Sequence, residues 1–109
     1  MHVTRKTELK AYPAKKHHGM IAFRLQGGDA SPTESLSVGL SLFLPAGGAE
    51  KSSSPTEKVY VVFEGEITII LENEVVTLGP LDSCTIEANE ERVIENRTKE
   101  VAKMLVVSV

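Results

Sequence analysis

Leu36, Val38, Leu40, Leu42 and Leu44 alternate with Ser37, Gly39, Ser41 and Phe43. A period of two puts one set of side chains on one face of an extended chain. On a helix the same spacing would scatter the leucines around the axis, so this stretch predicts a strand with one face on a core. Neighbouring segments repeat the signature in shorter form. Met20 to Leu25 reads as a strand before Gly27-Gly28-Asp29 and Ser31-Pro32-Thr33, a loop by composition. Lys58 to Phe63 is β-branched and aromatic, Glu64-Gly65 supplies a tight turn, and Glu66 to Leu71 returns. Glu72-Asn73 makes a second hairpin turn before Val75, Val76 and Leu78. Ser83 to Ile86, Arg92 to Glu95 and Lys103 to Val109 bring the set to about eight strands, and no stretch has convincing helical spacing. Pro45-Ala46-Gly47-Gly48 is expected to end the long strand, and Lys51 to Thr56 to form a Ser-rich loop.

Many short strands with turns between them predict an all-β sandwich or barrel. The 109 residues suit one domain, residues 1–109, with residues 1–19 as a polar, basic N-terminal segment. The net charge of −3 argues against nucleic acid or an anionic membrane as partner, since either would call for a basic stripe. The longest apolar runs, Val59–Phe63 and Ile67–Leu71, are too short to span a bilayer, and MHVTRKTELK has no apolar leader core. Cys84 is the only cysteine, so no intrachain disulfide forms. The expected location is the cytoplasm.

Two segments carry a family resemblance. Lys58-Val-Tyr-Val-Val-Phe-Glu-Gly-Glu resembles the first motif of the cupin superfamily, H-x-H, three or four residues, E, six residues, G; Gly65 fits the closing glycine. The stretch from Leu78 to Asn96 resembles the second motif, G-D, four residues, P-x-G-x-x-H, three residues, N; Asp82 and Asn96 fit. The resemblance covers residues 36–109 and implies a small single-domain cupin of the RmlC-like superfamily, a double-stranded β-helix or jelly-roll barrel.

The departures from the motif bear on function. The family's paired histidines fall on Ser52 and Ser54, or in the other register on Lys51 and Ser53. Its glutamate falls on Lys58 and its second-motif histidine on Arg92. The proline, the glycine and the glycine before Asp82 become Glu87, Asn89 and Leu81; Asn89 can still take the left-handed backbone of a turn. Transition metals want imidazoles and carboxylates converging on the ion. Arginine cannot deprotonate to become a ligand, and lysine does so only at a strongly lowered pKa. No metal and no cofactor is expected.

By strand alternation Lys58, Tyr60 and Val62 share the inward face, as do Arg92, Ile94 and Asn96. Lys58 and Arg92 should then meet in one cavity. Unpaired cations there are costly. An anionic ligand gripped by Arg92, with Tyr60 and Ser52 or Ser54 adding hydroxyls, would offset them; so would an internal acid such as Glu57, Glu87 or Glu95. The expected ligand-binding set is Lys58, Arg92, Tyr60, Ser52 and Ser54. The leading reading is a metal-free module holding a small carboxylate or phosphate metabolite. A metal-independent isomerase or lyase of an acidic metabolite is the alternative, resting on Tyr60 and Lys58 with His17 or His18 in reserve. A structural, dimerising module is the third. His17 and His18 are expected in the solvated N-terminal segment, with only one able to face a cavity. Cys84 reads as a small buried hydrophobe, and Glu90 and Glu91 as loop surface. Met104 to Val109, apolar on both faces, predicts a homodimer, with cover by the chain's own N-terminus as the rival.

Overall fold

A computed structural model describes all residues, 1–109. The chain folds into nine antiparallel strands and one short 3-10 turn, Lys6–Glu8. The strands are β1 (Ala11–Tyr12), β2 (His17–Gln26), β3 (Ser37–Ser52), β4 (Lys58–Glu64), β5 (Ile67–Ile70), β6 (Val75–Leu78), β7 (Ser83–Ile86), β8 (Arg92–Glu95) and β9 (Ala102–Ser108). No helix is long and apolar enough to cross a membrane.

Strand β3 is the spine. Its first half pairs with β9, which continues through β4 to β7; its second half pairs with β8, which continues through β5 to β6. Strand β2 follows β3 along nearly its whole length, and β1 closes the outer edge of β2. One strand therefore belongs to both walls of a nearly closed jelly-roll barrel.

This corrects the expected break at Pro45-Ala46-Gly47-Gly48. The chain bends there without leaving the sheet. On the β2 side the register jumps from His18↔Gly48 to Met20↔Phe43, so the residues between form a broad bulge opposite Gly19. Ala46 absorbs the turn at φ 65. Gly47 is glycine because a Cβ there would sit inside the Gly19 carbonyl. Strand β2 likewise starts earlier than Met20 and carries His17 and His18 into the sheet.

Asn96, 2% exposed, holds the bend. Its Nδ2 donates to the carbonyls of Phe43 (3.0 Å), Leu44 (3.2 Å) and Glu100 (2.7 Å). Its Oδ1 accepts from the Thr98 backbone N–H (3.0 Å) and hydroxyl (2.8 Å). Ala46 N–H donates to the Asn96 carbonyl, and Asn96 N–H to that of Gly47. At the other motif Leu81, where the family has glycine, takes φ 71, while the Asp82 carboxylate accepts the Gly79 N–H at 2.8 Å. Asn89 takes φ 65, the left-handed turn expected of it.

The inward residues of both walls form one core: Phe43, Tyr60, Val62, Ile67, Ile69, Ile94 and Met104 are all buried. Each aliphatic side chain so buried contributes roughly 1.5–3 kcal/mol. Across the outer face of the first wall the register aligns Phe23, Leu40, Leu105 and Val61, flanked by Val38, Val107 and Val59 and by Ile21 and Leu42. Replacing Asn96 with alanine removes the donors of three carbonyls at a buried bend. Chemical denaturation should show Asn96→Ala losing about 2–4 kcal/mol of stability.

Candidate functional site

One end of the barrel stays open. A cavity of about 470 Å³ lies there, lined by residues of β2, β3, β4, β7 and β8, by the loop after β3 and by residues 12–16 ahead of β2. That size suits a small metabolite.

Arg92 is the center of the site. It is 8% exposed, which is unusual for a guanidinium. Its Nε donates to the Tyr60 hydroxyl at 2.9 Å, and its Nη1 to the Ser52 hydroxyl at 2.7 Å and the Glu50 carbonyl at 3.2 Å. All three acceptors are neutral. The chain's ion pairs are Arg97–Glu95 and Lys103–Glu64, so Glu57, Glu87 and Glu95 do not neutralise Arg92 or Lys58 as one sequence reading allowed. Tyr60, itself 2% exposed, accepts from Arg92 and keeps its own proton to donate.

Lys58 enters from β4, half-buried, beside Ile86 in register. Burial first, then the charges of Arg92 and Arg24, pull its pKa below the ordinary 10.5. Arg24 donates to the Ser37 hydroxyl at 3.0 Å and lies 5.2 Å over the Tyr12 ring, fastening the segment that roofs the cavity. Ser53 and Ser54 lie on the rim with Ser52. The five residues named from the sequence, Lys58, Arg92, Tyr60, Ser52 and Ser54, thus line one cavity.

Residues that sequence reasoning placed elsewhere join them. His17 is not in a solvated tail: it lines the cavity, half-buried, and its Nδ1 lies 2.6 Å from the Lys15 carbonyl. A carbonyl can only accept, so Nδ1 carries the hydrogen and Nε2 keeps a free lone pair. Burial lowers the His17 pKa below 6.5, outweighing the Lys15 bond, and Arg92, Lys58 and His18 lower it further. His18 faces a separate groove with Glu50, Glu95 and Arg97. Glu90, read as loop surface, lines the cavity mouth and accepts the Glu87 N–H at 3.0 Å. Tyr12 and Arg24 gave no sequence signal, because their place depends on the pairing of β1 with β2. Cys84 packs half-buried against the core, and burial followed by Glu90 raises its pKa.

A metal does not fit this donor set. Serines, a lysine and an arginine hold the positions where a cupin metal site needs imidazoles and a carboxylate, and no three His, Cys, Asp or Glu side chains converge anywhere in the chain.

A double-walled antiparallel barrel open at one end, with its polar site among inward side chains, defines a cupin-type protein. The chain belongs to the cupin family: the family model described as "Cupin domain" matches residues 39–108. It is 41% identical over 106 residues to a protein named Beta-D-galactosidase Rv1717 from Mycobacterium tuberculosis, covering 97% of this chain and 91% of that one. Its fold is similar to the polyketide cyclase RemF from Streptomyces resistomycificus, with a TM-score of 0.87 at 17% identity over 99% of this chain and 78% of the other. An RmlC-like cupin from Shewanella frigidimarina aligns with a TM-score of 0.82 at 13% identity over 99% of this chain and 89% of its own.

His17 gives the site a pH signature. Its folded pKa lies below the usual 6.5, so the fold favors the neutral ring. Its contribution to stability is complete above about pH 6.5 and is lost as the pH falls toward the folded pKa. Ring titration by NMR should place the His17 midpoint below 6.5, and His17→Phe should flatten the decline of stability in that window.

Proposed function

We propose that this protein is a metal-independent, carbohydrate-directed cupin whose cavity takes a small sugar carrying an acidic group, a sugar carboxylate or sugar phosphate. Arg92 carries the reading: a nearly buried guanidinium bonded solely to neutral oxygens, with Lys58 in the same cavity. A buried charge without a counter-charge is costly, and an anionic ligand offsets that cost. The hydroxyls of Tyr12, Tyr60, Ser52, Ser53 and Ser54 suit the rest of a sugar. The name of the relative from Mycobacterium tuberculosis supports a sugar over other hydroxylated anions. His17 as base through Nε2 and Tyr60 as acid would move a proton at the carbon beside the acidic group, the isomerase or lyase chemistry considered from the sequence. The free cysteine suits a reducing compartment, and we place the protein in the cytoplasm.

Glycoside hydrolysis is the second reading, and the activity for which that relative is named favors it. Most such enzymes use two carboxyl groups across the scissile bond. Glu90 is the carboxylate that lines this cavity, and it would serve as the proton donor. A thermal-shift panel of sugar acids, sugar phosphates and neutral sugars, run with chelator present, should show stabilisation by an acidic sugar. Arg92→Met should weaken that binding at least about tenfold. Stabilisation by no acidic sugar overturns the reading. Release of chromophore from an aryl β-D-galactoside, lost in Glu90→Gln, would select the hydrolase.

We further propose a homodimer through the outer face of the first wall. Ile21 (39%), Leu44 (42%) and Phe63 (40%) remain exposed beside a stretch of Leu, Val and Phe on this sheet, which the Lys103–Glu64 ion pair borders. The N-terminal segment, the rival cover, reaches this sheet at Gln26, where Thr4 bonds it beside Val38, but leaves Ile21, Leu44 and Phe63 exposed, and residues 12–17 line the cavity. Light scattering at micromolar concentration should give twice the chain mass; a particle of 11.8 kDa would refute the dimer.

A further inference from the structure

Lys58 has no protein partner to explain its place. It projects from β4 into the cavity, half-buried, and belongs to neither of the chain's ion pairs. Arg92 and Arg24 are the charges that act on it most strongly. A lysine of this kind is poorly placed as a permanent cation and well placed as an amine. Loss of water and neighbouring positive charge both favor its neutral, nucleophilic form. The Nη2 of the nearby Arg92, which bonds no protein oxygen, can donate to a carboxylate beside the Ser52 hydroxyl, which would present the rest of a bound acid to Nζ.

Resting on the acidic-sugar reading above, we propose that Lys58 forms a reversible Schiff base with a 2-oxo acid, of which a 2-oxo sugar acid is the natural member, its carboxylate held by Arg92 and Ser52. The neutral Nζ lone pair adds to the carbonyl carbon. The carbonyl oxygen takes up a proton, giving a carbinolamine once Nζ has lost one. That hydroxyl leaves as water with a second proton, for which the Tyr60 hydroxyl is the donor in the cavity, and a C=N bond to Nζ remains. Amine, ketone and the Tyr60 proton thus become protonated imine, water and a tyrosinate beside Arg92 Nε, with no oxidant or reductant needed. The imine acidifies the adjoining C–H. His17 Nε2, whose lone pair is free because Nδ1 faces the Lys15 carbonyl, accepts that proton, and the bonding pair moves into an enamine that draws charge off nitrogen. The outcome is proton exchange at the carbon beside the former ketone.

The test uses the full chain with pyruvate, the smallest 2-oxo acid, as probe. With cyanoborohydride present, intact mass should show one reduced pyruvate adduct, and peptide mapping should place it on Lys58. Lys58→Met should lose the adduct, and so should Lys58→Arg, which keeps the charge and guards against a fold defect. Arg92→Met should slow trapping at least about tenfold with pyruvate and far less with neutral pyruvamide. In deuterium oxide the methyl group of pyruvate should exchange faster with protein than without, and His17→Phe should remove the difference. Adducts spread over surface lysines such as Lys51 and Lys103, or none at all, would overturn the Schiff base. Acidic sugars that still stabilise the protein in that case leave the binding reading intact; loss of both results removes both.

Discussion

The bend of β3 is held from within by a single amide. Asn96 spends both of its polar atoms on backbone, bridging the chain before the bend, the turn ahead of β9 and Thr98. A strand that kinks at Pro45 and Ala46 leaves carbonyls the ladder cannot reach, and buried carbonyls need donors. Asn96 supplies them from the end of β8. It thereby fixes β8 against the second half of β3, and Arg92 against Ser52, four residues earlier on the same strand. The geometry of the site thus descends from a hydrogen-bonding requirement of the barrel.

Arg92 then acts in two ways at once. As a strut it joins β8 to β4 through Tyr60 and to β3 through Ser52 and the Glu50 carbonyl, tying the walls where the barrel would otherwise gape. As a charge it is left over, because neutral acceptors satisfy its N–H groups without cancelling its positive field. Where a metal-binding cupin would concentrate positive charge in an ion held by imidazoles, this chain builds it into side chains. The polarity of the cavity is similar, and on the reading proposed above it would hold a carboxylate or phosphate without a coordination sphere.

Much of this was legible in the sequence because strand alternation is local. Once Lys58–Phe63 and Arg92–Glu95 were read as strands, the inward set of Lys58, Tyr60, Val62, Arg92, Ile94 and Asn96 followed from period two. The cupin resemblance supplied what alternation cannot, that the two sets face one another. The misses are non-local. Pro45-Ala-Gly-Gly reads as a break on its own, and what keeps it within the sheet is non-local: the Asn96 amide and backbone, about fifty residues on, and the pairing of Gly48 with His18 and Glu95. His17 sits in a segment polar enough to look solvated, and its burial depends on pairing with Ala49. Tyr12 is brought to the cavity by a two-residue strand and by Arg24, neither of which has a sequence signature.

That last element bears on specificity. Residues 12–17 lie outside the stretch matched by the cupin family model, yet they supply one wall of the cavity and its histidine. The wall is fastened at few points: two register pairs between β1 and β2, the pairing of His17 with Ala49, the Arg24–Tyr12 contact and the Glu50 N–H to Lys16 carbonyl bond. Such a wall can vary with little effect on the barrel, because neither the core cluster nor the Asn96 pin includes any of its residues. The barrel and its two cations, Arg92 and Lys58, set the charge of the cavity. The shape of the cavity, and the presence of an imidazole in it, depend on a strap that the barrel core does not require.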